Sequence, residues 1–175
     1  MKFVKQLIWL AMSYGGVGQA QEHAHVHGAG SVFVIQEGSN WQVQYVLPAS
    51  DALGFEHGPE NQQQRDSLTN LSRTLMNIEN LMYLDGGCEQ SEFSHNLDEF
   101  KAETEETHED DEDHETHHQN IEVSYTLRCS NDVTRLSFSI FEKIPSLQKL
   151  EVQWSLEVGQ GSAMVSNDII QLELK

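Results

Sequence analysis

Between Asp98 and His118 the chain offers a hydrophobic core almost nothing, and this constrains every fold it can adopt. The segment carries Glu103, Glu105, Glu106, Glu109, Asp110, Asp111, Glu112, Asp113 and Glu115, with His108, His114, His117 and His118 among them. No large apolar side chain follows Phe100 until Ile121. Dense like charge with nothing to bury does not offset the entropy of ordering, so the sequence predicts a disordered, His/acid-rich loop inserted at about 97–119. A plain solvated acidic run is the simpler reading of the carboxylates alone. Four imidazoles among them point to metal capture, because neutral imidazole and carboxylate are both ligands for Zn²⁺.

Any core must therefore be assembled from the two flanks. Val32 to Ile35 and Trp41 to Leu47 enclose Glu37-Gly38-Ser39-Asn40, and Trp41, Val43, Tyr45 and Leu47 alternate with Gln42, Gln44 and Val46. That pattern predicts a hairpin with a glycine-containing turn. After the insertion, Ile121, Val123, Tyr125 and Leu127 alternate with Glu122, Ser124, Thr126 and Arg128. Leu136, Phe138 and Ile140 follow, then Leu150, Val152, Trp154, Leu156 and Val158, and finally Ile170, Leu172 and Leu174. A period of two marks half-buried antiparallel strands. One stretch differs: Leu68, Leu71, Leu75, Ile78 and Met82 recur in steps of three and four, which predicts a helix from about 60 to 84, stopped by Asp85-Gly86-Gly87. The expected class is α+β, an antiparallel β-sheet or open β-sandwich of six to seven strands with one long helix.

The first twenty residues read as a secretory signal peptide: Lys2 and Lys5, a short apolar run from Leu7 to Met12, and Gly18-Gln19-Ala20 before a cleavage point. That run is well short of the roughly 20 residues that span a bilayer. Residues 21–175 are then expected to be one exported metal-binding domain with no membrane insertion. The chain has 28 acidic and 10 basic side chains, a formal charge of −18. Nucleic-acid binding is excluded on that balance, since it depends on clustered Lys and Arg neutralising phosphates. Cations are the natural partners. In an oxidising compartment Cys88 and Cys129, the only cysteines, pair as a disulfide closing a loop of about 42 residues. The competing reading makes them thiolate ligands of zinc and needs a reducing or protected environment.

The remaining histidines sharpen the metal reading. His23, His25 and His27 form His-x-His-x-His, and in an extended chain alternate side chains point the same way about 7 Å apart. Two such neighbours can hold one ion, and a disordered histidine-bearing tail is the alternative. His57 lies in Gly54-Phe55-Glu56-His57-Gly58-Pro59, where Glu56 and His57 can be presented together to complete a three- or four-ligand zinc site. His95 has no comparable neighbours in the sequence. Imidazoles must be neutral to ligate, so affinity should fall as the pH drops below about 7.

Several of these motifs occur in an order that resembles the ZrgA family, zinc-regulated periplasmic proteins of Gram-negative bacteria associated with zinc uptake. They are His25-x-His27-Gly28-x-Gly30; Leu47-Pro48-Ala49 with Gly54-Phe55-Glu56-His57; the cysteine pair around the His/acid-rich insert; and Phe141-x-x-Ile144-Pro145 with Gly159-Gln160. Ile144-Pro145 stands where the family pattern has Phe-Pro. The resemblance covers essentially the whole chain after the leader. It implies zinc binding, a periplasmic address and a role beside a high-affinity zinc importer, with a periplasmic zinc-transport component as a candidate partner. Copper, nickel and cobalt also suit imidazole and should compete in vitro, so the choice of zinc rests on the resemblance. No His-Glu-x-x-His, Gly-x-Ser-x-Gly or phosphate-cradling loop is present, so no enzyme is expected. The other reading is a β-rich periplasmic interaction module with a solubilising acidic loop and no specific metal.

Overall fold

Alternating apolar residues on either side of the His/acid insertion build one six-stranded sheet. The computed structural model describes residues 27–102 and 119–174. Strands β1 (Ala29–Glu37) and β2 (Asn40–Pro48) form the expected hairpin, turning at Gly38 with left-handed φ of 60°. β2 pairs antiparallel with β5 (Asn120–Cys129), and β5 with β4 (Cys88–His95). On the other side β1 pairs with β7 (Lys149–Leu156), which pairs with β8 (Gly159–Ser166), giving the order β4-β5-β2-β1-β7-β8. A second sheet, order β3-β6-β9, joins β3 (Met82–Leu84), β6 (Arg135–Phe138) and β9 (Gln171–Glu173).

The inner face of the large sheet carries Val32, Val34, Trp41, Val43, Tyr45, Leu47, Val123, Tyr125 and Leu127, all but excluded from solvent. Helix α2 (Gln62–Leu75) lays Leu68, Leu71 and Leu75 into the same core, and the small sheet adds Met82, Leu84, Leu136 and Phe138. Each such side chain contributes roughly 1.5–3 kcal/mol when fully buried. Three short helices complete the fold: α1 (Ala49–Ala52), α3 (Glu99–Ala102) and α4 (Ile140–Lys143). Among the described residues no helix is long and apolar enough to cross a membrane.

The structure corrects several expectations. The sheet is mixed rather than antiparallel, because β1 and β7 run parallel. There are nine strands in the described residues, not six or seven. The helix expected over 60–84 ends at Leu75, because its last carbonyls are taken by side chains from elsewhere. Asn80 Nδ2 donates to Thr74 O, Tyr125 Oη to Leu75 O and Gln90 Nε2 to Met76 O. The chain continues as a 3₁₀ turn over Ile78–Asn80, capped by the Asn77 side chain, and then as β3. Ile78 and Met82 are buried as the periodicity required, but from a turn and a strand. Val158, expected in a strand face, is 75 % exposed in the β7–β8 turn.

Cys88 and Cys129 form a disulfide and face each other across β4 and β5. The expected signal peptide and most of the His/acid loop lie outside the described residues. The described chain runs on past 97 as α3, with Leu97 and Phe100 in the core.

Candidate metal centre

The strand pairing decides where the histidines fall. β1 begins beside the C-terminal end of β2, β2 ends beside the start of β5, and β5 starts beside the end of β4 (Ser31↔Val46, Val46↔Glu122, His95↔Val123). One end of the sheet therefore carries four chain ends: the start of β1, preceded by His27; the end of β2, leading to His57; the end of β4, at His95; and the start of β5, one residue after Gln119. The disulfide lies at the opposite end of β4 and β5, more than about 20 Å away at 3.4 Å per residue. It therefore ties β4 to β5 and does not pin the base of the insertion.

Asn96 performs that task instead. Its Nδ2 donates to Asn120 O at 3.0 Å, its Oδ1 accepts from Glu122 N at 2.9 Å, and its own N–H donates to Glu122 O at 3.2 Å. Where the chain leaves Gln119, the Gln119 carbonyl accepts from Ala49 N at 3.0 Å, binding that end to α1.

Helix α1 also organises the start of β1. Gly28 N donates to Asp51 Oδ2 at 2.6 Å, and Gly28 O accepts from the amides of Gln148 and Lys149. Ser50 Oγ lies 3.3 Å from His27 Nδ1. The glycines of the His-x-His-Gly-x-Gly motif have structural reasons: Gly28 adopts φ +76°, and a Cβ on Gly30 would come within 2.9 Å of Leu47 and Leu150 side chains. His27 is thereby set at the start of β1, on the rim of the sheet.

Past α1, Gly54 turns the chain at φ +86° and Phe55 inserts into the core, leaving Glu56 and His57 on the connection to α2. The His57 ring packs against Phe55 with centroids 5.6 Å apart, and its side chain is 50 % exposed. His57 Nδ1 is 2.7 Å from Gly58 O and 3.8 Å from Glu60 Oε1. A carbonyl only accepts, so Nδ1 is the donor to Gly58 O, and in a neutral ring Nε2 is the nitrogen left to accept. Metal-ligating imidazoles are commonly oriented in this way, with the other nitrogen donating to a carbonyl or carboxylate.

His95, given no partner by the sequence, closes β4 with its ring edge-on to Phe93 at 5.2 Å and Nε2 3.4 Å from Ser72 Oγ of α2. Nothing in Cys-Glu-Gln-Ser-Glu-Phe-Ser-His announces a strand, so its placement beside the insertion was not readable. The immediate neighbour Asn96 was the available signal.

Of the expected ligands, His27, Glu56 and His57 are described, and they do not close a site by themselves. Among the described residues no group of three or more His, Cys, Asp or Glu side chains could hold a metal ion. His23, His25, His108, His114, His117 and His118 lie outside the described residues. Cys88 and Cys129 are consumed by their disulfide, which removes the thiolate reading.

These features define a mostly β protein with an acidic, histidine-bearing sheet end. Residues 24–174 match the family described as ZrgA family zinc uptake protein, and the chain belongs to that family. Among curated proteins no relative matches.

Proposed function

We propose that this chain is a periplasmic zinc-binding protein that captures or buffers Zn²⁺ and assists its high-affinity uptake through a zinc-transport component. Membership of a zinc uptake family supports the role. The observation that carries the residue-level reading is the common sheet end to which β1, β2, β4 and β5 bring their histidine-bearing connections.

The proposal has two tiers. A defined site uses His25, His27 and His57, with Glu56 or an imidazole of the insertion, while His23 extends the amino-terminal run. A collector is formed by His108, His114, His117 and His118 among carboxylates. A formal charge of −18 concentrates divalent cations near the molecule and speeds their encounter. Weak, exchangeable sites suit onward transfer, whereas a closed cage would retain the ion. Calorimetric titration with Zn²⁺ tests the scheme. Two classes of site are expected; deletion of residues 103–118 removes the weaker class and His57→Ala weakens the tighter one. A single-class isotherm unchanged by the deletion refutes the two-tier reading. No role in catalysis is proposed.

A further inference from the structure

Cleavage after Gly18-Gln19-Ala20, the leader reading on which this site rests, makes Gln21 the first residue of the exported chain, followed by Glu22 and His23. A histidine then stands third from a free α-amine. That spacing has a chemistry of its own, set by covalent connectivity and independent of the fold. The Gln21 amine, the amide nitrogens of Glu22 and His23, and the His23 imidazole Nδ1 are linked by the bonds that close fused five- and six-membered rings around a single ion. Such a planar set of nitrogens suits Cu²⁺ and Ni²⁺, whereas Zn²⁺ favours tetrahedral sites. Neither Glu22 nor His23 is proline, so both amides have a proton to give up.

Residues 21–26 lie outside the described residues, but the point to which they are tied does not. His27 is exposed, and Gly28 directly after it is held by its N–H on Asp51 Oδ2 at 2.6 Å and by its carbonyl, which accepts from the Gln148 and Lys149 amides. The amino-terminal segment therefore meets the fold at its surface, on the rim to which the histidine-bearing connections come. The peptide units from His23 to His27 span at most about 14 Å, so His23 stays within that reach of His27 whatever its path. His25 and His27 are not among the planar donors and are left to the zinc site.

We infer that Gln21-Glu22-His23 is a square-planar chelate for Cu²⁺ and Ni²⁺ at the amino terminus of the exported chain, separate from the zinc site. Binding is a proton exchange: the metal ion enters, one proton leaves the terminal ammonium and one leaves each of the two amides, and no electron is transferred. Zinc takes imidazoles but does not displace amide protons at neutral pH, so the terminus sorts the metals. By the Irving–Williams order Cu²⁺ outcompetes Zn²⁺ for imidazole ligands. A terminal chelate holds that competitor off the histidines of the rim.

Intact-mass measurement of untagged protein recovered from the periplasm of an expressing bacterium reads the terminus first, and a chain of residues 21–175 with a free amine is expected. A cut at another bond refutes the leader reading and the site with it. Loss of one ammonia by cyclisation of Gln21 leaves the leader reading intact and overturns the site alone. Titration of the metal-free protein with Cu²⁺ should then develop the visible band and nitrogen hyperfine pattern of a planar four-nitrogen complex, saturating at a single equivalent and unchanged by excess Zn²⁺. His23→Ala should abolish the band. An alanine inserted between Glu22 and His23 keeps every histidine but moves this one to fourth place, and it should abolish the band while leaving the zinc isotherm as in the wild type. A correctly processed protein without the band, a band that survives either change, displacement of the copper by zinc, or a zinc isotherm altered by the insertion would each overturn the inference.

Discussion

Replacing Asn96 by alanine separates the closure of the insertion from the rest of the fold. The variant loses the bonds from Nδ2 to Asn120 O and from Glu122 N to Oδ1, of 3.0 and 2.9 Å, and keeps the backbone bond from Asn96 N to Glu122 O. β4–β5 pairing from Cys88 to His95 has no other need of the side chain. A typical intramolecular hydrogen bond contributes about 0.5–1.5 kcal/mol net. Glu122 is exposed and its amide can rehydrate, which places the pair at about 1–2 kcal/mol. For a domain of this size that corresponds to a fall of roughly 2–8 °C in Tm. Under the two-tier scheme the same change loosens the geometry that joins the insertion to the sheet end, and zinc affinity of the weaker class should drop a few-fold. Thermal melts followed by circular dichroism give the first number and zinc calorimetry the second. If the melt shifts as calculated while the zinc isotherm is unchanged, closure by Asn96 has no part in metal capture. An unchanged melt refutes the energetic assignment itself.

Tyr45 Oη is buried with no hydrogen-bond partner among the described residues, so Tyr45→Phe should stabilise the protein by about 1 kcal/mol, seen as a higher midpoint in urea; a lower midpoint contradicts this. Converting Cys88 and Cys129 to alanine releases a cross-link of sequence separation 41, on the order of 4 kcal/mol in the chain-entropy model, lowering Tm by roughly 8–16 °C. Because the bridge lies at the far end of the sheet, zinc stoichiometry should survive, and its loss in folded protein refutes that separation. Desolvation raises the Asp85 carboxyl, but hydrogen bonds from the Thr134 hydroxyl and the Arg135 and Thr134 amides, with the Arg135 charge, outweigh it and hold the pKa below its usual value. A depressed folded pKa adds stability above the unfolded value and loses it as pH falls through the folded one, so Asp85→Asn should flatten the acid limb below about pH 4. An unaltered limb in urea titrations argues against the assignment.

Much of the large sheet was legible because half-buried strands impose a period of two. Trp41, Val43, Tyr45 and Leu47, and Ile121, Val123, Tyr125 and Leu127, all face the core. Leu68, Leu71 and Leu75 likewise marked one helix face. β4 escaped because an edge strand with a mostly exposed surface has no apolar alternation to read, and β3 is only three residues long. The helix boundary was misread because Asn80, Gln90 and Tyr125 terminate it from outside its own sequence. The parallel pairing of β1 with β7 joins residues far apart in the chain, beyond any local pattern. For the candidate site, residue types were readable but the rim that β1, β2, β4 and β5 share was not. His95 and Asn96 gained meaning only once β4 was paired.

That shared rim follows from strand direction. β1, β2 and β5 lie side by side with alternating sense, and β4 continues the alternation, so the start of β1, the end of β2, the start of β5 and the end of β4 share one rim. The β1–β2 turn at Gly38-Ser39 and the disulfide occupy the other rim. A segment inserted between β4 and β5 therefore starts and ends at the histidine-bearing rim whatever its length. Loop-closure entropy rises slowly, about 0.6 kcal/mol for each doubling of length in a flexible loop. The strands buried beneath are untouched by such a change, because Leu97 and Ile121 anchor the flanks in the core. Under the two-tier scheme fold stability and cation capacity are in this way separable: the sheet and its disulfide would set the first, and the composition of the insertion the second.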